Sequence, residues 1–256
     1  MSLRASRVST VAVGVLVAVL AACGGERIVQ GECQRVFDGD VCTWGTMVGG
    51  DVTQFGATVS MTSVENAPAH GEMVFPPPFV GLVPLPQEVA SATGFNHLAV
   101  NWEPHGHPPA LFLTPHFDFH FYTVDPARVR TIDCADRRKP TVVPAAYTLP
   151  DLDIPGLGQL VGLCVPTMGM HAMPAAELDK TTPFGASMIV GYYGQDLIFL
   201  EPMIARAKLL EAQSFTMDVP AVQSPGAKVR WPKGFEARYD AGSRTYQFVF
   251  SVPATD

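Results

Sequence analysis

Alternating polar and apolar residues recur along the chain and predict short β-strands. The clearest case is the segment TPHFDFHFYTV, which places His116, Asp118 and His120 at every second position with phenylalanine between them. Successive side chains of a strand point to opposite faces of a sheet. One face of this strand would therefore be polar and the other aromatic, made of Phe117, Phe119 and Phe121.

Further strands follow from the same period of two. The segment FNHLAVNW alternates and places His97, Ala99 and Asn101 on one face, and a second strand is expected from residue 110 to residue 114. Hairpins are expected where a turn sequence separates two apolar runs. Such turns are GGD at 49–51, GQD at 194–196 and DAG at 240–242.

The remaining segments favour loops and one helix. Six prolines between Pro68 and Pro86 exclude a regular helix or a central strand, and residues 137–163 form another long connection rich in proline and glycine. Only PMIARAKLLEA has helical character, which predicts one short helix near 203–212. The pattern predicts an all-β fold, mainly an antiparallel sandwich or a partly closed barrel of eight to ten strands.

The N-terminal 22 residues are typical of a secretory signal. Arg4 and Arg7 precede the apolar run VAVGVLVAVL, which is too short to span a membrane. The sequence LAAC that follows resembles a bacterial lipobox, in which Cys23 would be lipidated. The expected organisation is a signal peptide at 1–22, a lipidated tether and small cysteine loop at 23–42, and a single mainly-β domain at 43–256. Membrane contact would come from the lipid.

The charge of the chain argues against nucleic acid as a partner. The formal charge is −7, and removal of a segment with two arginines and no acid makes it −9. A nucleic-acid-binding domain would be expected to carry a basic stripe. The pattern does not exclude a homo-oligomer.

Four cysteines remain besides Cys23. An even number of cysteines in an oxidising compartment indicates two disulfides. Four cysteines can pair in three ways, and the pairing of nearest neighbours in sequence joins Cys33 to Cys42 and Cys134 to Cys164. A zinc site is the alternative, but the C-x2-C spacing is absent.

The histidines carry the strongest chemical signal. All seven lie between His70 and His171. Imidazole is a common ligand for zinc, copper and nickel, and carboxylates complete many such sites. The methionines of TMGMHAM would suit copper, although methionine more often fills gaps in a core.

Strand geometry limits which histidines can share one ion. Residues i and i+2 are ~6.6 Å apart and residues i and i+4 ~13 Å apart along a strand. His116 and His120 therefore cannot reach one metal from a regular strand, unless a bulge intervenes or Asp118 is the shared centre. His105 and His107 have the right spacing if the segment is extended, although its prolines and glycine predict a turn, and His171 would come from another loop. His70 is expected in an exposed loop and His97 half-buried on a strand.

The sequence also allows other roles for the polar row and for Glu201. The alternating polar row would equally suit a hydrogen-bonded network in which Asp118 fixes the tautomers of its neighbours. Glu201, in IFLEPM, is either a ligand or general base, or a carboxylate that stabilises the start of the predicted helix. The chain has no G-x-S-x-G, H-E-x-x-H, phosphate-binding loop or EF-hand sequence.

Four motifs in order, WEPHGHPP, PHFDFHFY, VPTMGMH and FLEPMI, resemble a family of secreted bacterial domains of unknown function, typified by a Thermus protein under sigma-E/anti-sigma-E control. The resemblance covers roughly residues 43–220. It implies that six residues lie together in space: His107, His116, Asp118, His120, His171 and Glu201.

The expected function is a lipid-anchored, extracytoplasmic β-domain that binds a divalent metal, zinc or another, or a small ligand through it. One alternative is a zinc-dependent hydrolase in which Glu201 or Asp118 acts as the base. Another is a structural or interaction protein whose histidines form a polar network without metal.

Overall fold

The computed structural model describes residues 25–71, 74–226 and 228–254. Within these ranges the chain forms fifteen strands in antiparallel sheets. The strands are β1 Glu26–Val36, β2 Gly39–Val48, β3 Asp51–Ser60, β4 Phe79–Pro84, β5 His97–Glu103, β6 His116–Tyr122, β7 Tyr147–Thr148, β8 Leu152–Ile154, β9 Gly158–Leu160, β10 Met170–Pro174, β11 Ala186–Tyr193, β12 Asp196–Ala205, β13 Phe215–Met217, β14 Gly234–Asp240 and β15 Thr245–Ser251.

Helices are few and short in the described residues. The α-helices are α1 Met61–Glu65, α2 Gln87–Thr93, α3 Pro126–Arg130 and α4 Arg206–Leu210. Single 3-10 turns lie at Ala110–Phe112, Val161–Leu163 and Ala175–Glu177.

The predicted all-β sandwich is confirmed. One sheet has six strands in the order β1-β2-β3-β15-β14-β13, and the other has seven in the order β4-β5-β6-β12-β11-β10-β7. The two strands β8 and β9 form a separate small hairpin. Aromatic side chains fill the space between the large sheets, where the ring centroids of Phe119 and Phe248 lie 4.8 Å apart and those of Phe121 and Phe250 5.0 Å.

The turn sequences place the hairpins where they were expected. Gly49 and Gly50 join β2 to β3 with φ of 61° and 91°, a conformation that glycine adopts without steric cost. Gly194 and Gln195 join β11 to β12, also with positive φ. β14 and β15 pair from Asp240↔Thr245 onward, so the C-terminal hairpin is present as well.

One strand prediction was wrong. Residues 110–114 are not a strand, because the amide of Phe112 donates to Pro109 and that of His107 to Phe112, which closes a 3-10 turn. The short helix predicted near 203–212 is present at Arg206–Leu210, and residues 203–205 before it continue β12 and pair with β6. In the segment predicted as a tether and small cysteine loop, residues 26–36 lie in β1 and residues 39–42 begin β2.

Both disulfides join the cysteines that are nearest in sequence, as predicted. Cys33 bonds to Cys42 across the β1–β2 hairpin, and Cys134 bonds to Cys164. These four cysteines are therefore not zinc ligands. The signal segment and Cys23 lie outside the described residues.

Candidate metal centre

Strand β6 separates its side chains as the alternation predicted. All seven of its residues are buried. Phe117, Phe119 and Phe121 belong to the hydrophobic core, and the last two contact rings of the six-stranded sheet. The row His116, Asp118 and His120 therefore lies on the opposite face, which loops cover.

Neighbouring strands add polar groups to this face. On β5, Asn101 pairs with Asp118 and Glu103 pairs with His116. On β12, the pairs on either side place Glu201 across from His120. Both carboxylates come to the site through antiparallel register, because directly opposed residues point to the same face.

The first group consists of His107, His116 and Asp118, whose ligand atoms all lie within 4.8 Å of one another. His107 reaches it from the loop after β5. Gly106 turns that loop with φ of 67°, at a point where a Cβ would lie 2.0 Å from the carbonyl oxygen of Phe112. Glycine is therefore required for the loop to bring His107 over the strand.

The second group consists of His120, His171 and Glu201, again within 4.8 Å of one another. Oε2 of Glu201 is 3.6 Å from Nε2 of His120 and 4.0 Å from Nε2 of His171. His171 lies on β10 and pairs with Gly191 of β11, so it reaches Glu201 across one intervening strand.

Backbone carbonyls orient three of the four histidines. Nδ1 of His107, His116 and His171 lies 2.8, 2.7 and 2.9 Å from the carbonyl oxygens of Pro108, Thr114 and Leu163. A carbonyl only accepts, so each Nδ1 carries the proton. In the neutral ring Nε2 then presents its lone pair to the group, which is the arrangement of metal-bound histidine.

Several ligand atoms of the two groups are buried with no hydrogen-bond partner among the described residues. In the second group these are both ring nitrogens of His120 and both carboxyl oxygens of Glu201. In the first group they are Nε2 of His116 and Oδ1 of Asp118. An unsatisfied buried polar group costs roughly 1 to 3 kcal/mol, so a self-contained hydrogen-bond network does not account for this arrangement.

The first group holds a compensating charge pair. Nε2 of His116 is 3.2 Å from Oδ1 of Asp118, although outside hydrogen-bonding geometry. Burial lowers the pKa of His116, but contact with Asp118, the carbonyl oxygen of Thr114 and the charge of Glu103 together outweigh it and raise the pKa overall. Burial raises the pKa of Asp118, but contact with His116 and the charges of His107 and His120 together outweigh it and lower the pKa. Metal bound at Nε2 of His116 would have to displace the proton that this nitrogen carries in the charged ring.

The second group has no such pair. Burial lowers the pKa of His120 to about 3, and burial together with the Asp118 charge raises the pKa of Glu201 well above its usual range. The ring of His120 is therefore uncharged near neutral pH without metal, and the two side chains approach each other without a hydrogen bond between them. A divalent cation would supply the missing charge and a partner for both, so the residues fit a metal.

A cavity of about 250 Å³ opens onto both groups. His107 and Asp118 of the first group and His171 and Glu201 of the second line its floor, together with Glu103. Burial and the Asp118 charge raise the pKa of Glu103 to about 8. Coordination positions facing the cavity would be accessible to a small molecule.

The six residues implied by the resemblance are all brought together, but in two groups. His116 and His120 belong to different groups, as the ~13 Å spacing of i and i+4 requires. Glu201 lies within β12, so its role at a helix start is excluded. The Met168 and Met173 side chains line the cavity wall.

Other histidines lie outside both groups. His105 is exposed and bonds to the carbonyl oxygen of Gly71, and His70 is exposed. His97 is fully buried rather than half-buried and stacks on Tyr122.

The sequence interpretation missed Glu103 as a site residue. The signal was present, because the alternation of His97, Ala99 and Asn101 continues to Glu103 on the same face.

No protein-family model, no curated protein and no solved structure matches this chain. Among the described residues, no helix has the length and apolar character needed to cross a membrane.

Proposed function

We propose that the protein is an extracytoplasmic β-sandwich that binds divalent metal ions, one in each group, and is anchored to a membrane through lipid on Cys23. The two disulfides support an oxidising compartment. The basic residues, apolar run and LAAC sequence support the anchor. The resemblance to secreted bacterial domains agrees with this assignment.

The geometry of the second group is the main support for metal binding. Four atoms of His120 and Glu201 are buried without a hydrogen-bond partner among the described residues, within reach of His171. Two imidazoles and one carboxylate form a ligand set typical of zinc and other first-row divalent metals, and the cavity leaves room for a further ligand.

Metal content of the purified protein tests the proposal. A soluble Cys23→Ser form would be loaded with zinc, freed of excess metal and measured by mass spectrometry of the metal. We expect two ions per chain, and one in the Glu201→Gln variant. His105→Gln, which changes an exposed histidine outside both groups, is the matched control and should keep both ions. A wild type that retains no metal, or a Glu201→Gln variant that retains two ions, would contradict the proposal.

A zinc-dependent hydrolase is the second candidate. The observation that favours it is that both groups face a cavity, since catalytic zinc sites keep a coordination position open. A bound metal would supply an activated water, and Glu103 is the carboxyl group of the cavity that belongs to neither metal group. Hydrolysis of a nitrophenyl ester that is lost in Glu103→Gln at unchanged metal content would support this activity.

A further inference from the structure

The walls of the cavity above the two metal groups are apolar. Ile189 of β11 and Met203 of β12 lie on the same sheet face as the metal groups, since they pair with Glu201 and Asp118. The β8–β9 hairpin contributes Ile154 and Leu160 to the lining, and Leu163 follows it. The charged and imidazole side chains of the lining belong to the metal groups and Glu103, and none comes from the hairpin. Such a division suits a molecule with one polar end and an apolar body.

The net charge of a metal-loaded group indicates which polar end a bound molecule would have. Each group has two imidazoles and a single carboxylate, Asp118 or Glu201, so a bound divalent ion leaves one net positive charge. An uncompensated charge beside apolar walls is costly, and an anion that coordinates the metal would remove that cost. Without metal, no lysine or arginine of the lining offers a positive charge to an anion.

The volume sets the size of the apolar body. A cavity of about 150 Å³ accommodates benzene, so 250 Å³ corresponds to roughly ten carbon-sized atoms. We propose that this cavity binds a small amphipathic anion, of the size of a medium-chain carboxylate. Its head would lie at the metal groups and its chain against the β8–β9 hairpin. This inference rests on the proposed function, because the head is bound through metal.

Octanoate is a suitable probe, with octanol and acetate as comparisons. Calorimetric titration of the zinc-loaded soluble protein should show octanoate binding at least tenfold tighter than octanol, which lacks the charge, and than acetate, which lacks the chain. Removal of metal with a chelator should weaken octanoate binding at least tenfold. The metal content of every sample is measured alongside.

Two variants test the position of the chain without touching a metal ligand. Leu160→Trp fills the cavity from the hairpin, and Leu157→Asp places a negative charge on an exposed residue of its lining. Each should weaken octanoate binding at least tenfold at unchanged metal content. Leu210, exposed on α4 and outside the cavity lining, provides the matched controls Leu210→Trp and Leu210→Asp, which should bind octanoate as the wild type does.

The outcomes separate this inference from the proposed function. If the protein holds zinc but octanoate does not bind, binds equally without metal, or binds Leu157→Asp as tightly as the wild type, the amphipathic ligand is wrong and the metal site stands. If the protein holds no metal, the proposed function fails and this inference fails with it.

Discussion

Glu201 lies across from His120 on the neighbouring strand, with Oε2 of the carboxyl 3.6 Å from Nε2 of the ring and no hydrogen bond between them. Both side chains are almost completely buried. Since burial holds the pKa of His120 low and that of Glu201 high, the pair does not form an ion pair without metal. A cation bound by both side chains would give these buried atoms the partner that they lack, which is the physical basis of the metal proposal.

The two faces of β6 should fail in different ways. Truncating Phe119→Ala removes a fully buried ring from between the sheets and should lower the free energy of unfolding by ~3 to 5 kcal/mol through lost burial and a residual cavity. Asp118→Asn removes a charged ligand at similar volume, so the fold should survive while the first group loses its metal. Denaturation curves and metal content, measured side by side for both variants, check this.

The chelator-treated wild type serves as the control for that comparison. If the wild type holds no metal, and Asp118→Asn only lowers the melting temperature, the polar row is a structural network that connects neighbouring strands. The leading function would then be abandoned in favour of the interaction protein.

Much of the fold was predictable because polar and apolar residues alternate in the sequence wherever a strand buries only one of its faces. The FDFHF alternation and the turn residues Gly49–Gly50 and Gly194–Gln195 are local signals, and each agrees with the structure. The segment 203–205 was misjudged because its helical propensity is local, whereas its pairing with β6 depends on residues more than eighty positions away. Tertiary burial outweighs propensity in such cases.

The sequence predicted which residues take part in the site, but not how they are grouped. Alternation placed His116, Asp118 and His120 on one face, and strand spacing separated the two histidines. The partners of each depend on register between distant strands, which brings Glu201 to His120 and Glu103 to His116. The loop that carries His107 depends on the backbone turn at Gly106. Neither the register nor this turn is encoded by spacing alone.

Lipidation of Cys23 gives a prediction at the N-terminus. The charged start, apolar run and LAAC predict that Cys23→Ser will release the protein from the membrane fraction. Fractionation of cells followed by immunoblotting measures this, and Cys33→Ser/Cys42→Ser is a control that should remain with the membrane. Membrane association that persists in Cys23→Ser would show that the anchor lies elsewhere.

His97 should make the metal-free protein sensitive to acid. Burial lowers its pKa from 6.5 to about 4, an effect that the Asp125 charge only partly offsets. Below pH 6.5 the unfolded chain binds a proton that the folded chain does not. Stability is therefore fully present above pH 6.5 and is lost as pH falls toward 4, by roughly 3 kcal/mol in total.

Denaturation of chelator-treated protein between pH 4 and pH 7 measures this effect. His97→Gln should show a shallower loss of stability toward acid than the wild type, whereas the exposed His105→Gln should follow the wild type. The other buried histidines titrate in all three proteins, so the difference in slope belongs to His97. Parallel curves for His97→Gln and wild type would refute the assignment.

The Cys134–Cys164 disulfide should support the second metal group as well as the fold. Closing a loop of 30 residues stabilises by roughly 3 to 4 kcal/mol in the chain-entropy model. Cys164 directly follows Leu163, whose carbonyl oxygen orients His171. Replacing both cysteines with serine should therefore lower the melting temperature and reduce metal at the second group.

The Cys33→Ser/Cys42→Ser variant, which removes the disulfide from the other sheet, should keep full metal content at a smaller loss of stability. Equal metal loss in the two double variants would mean that the disulfide near His171 has no specific part in holding the site.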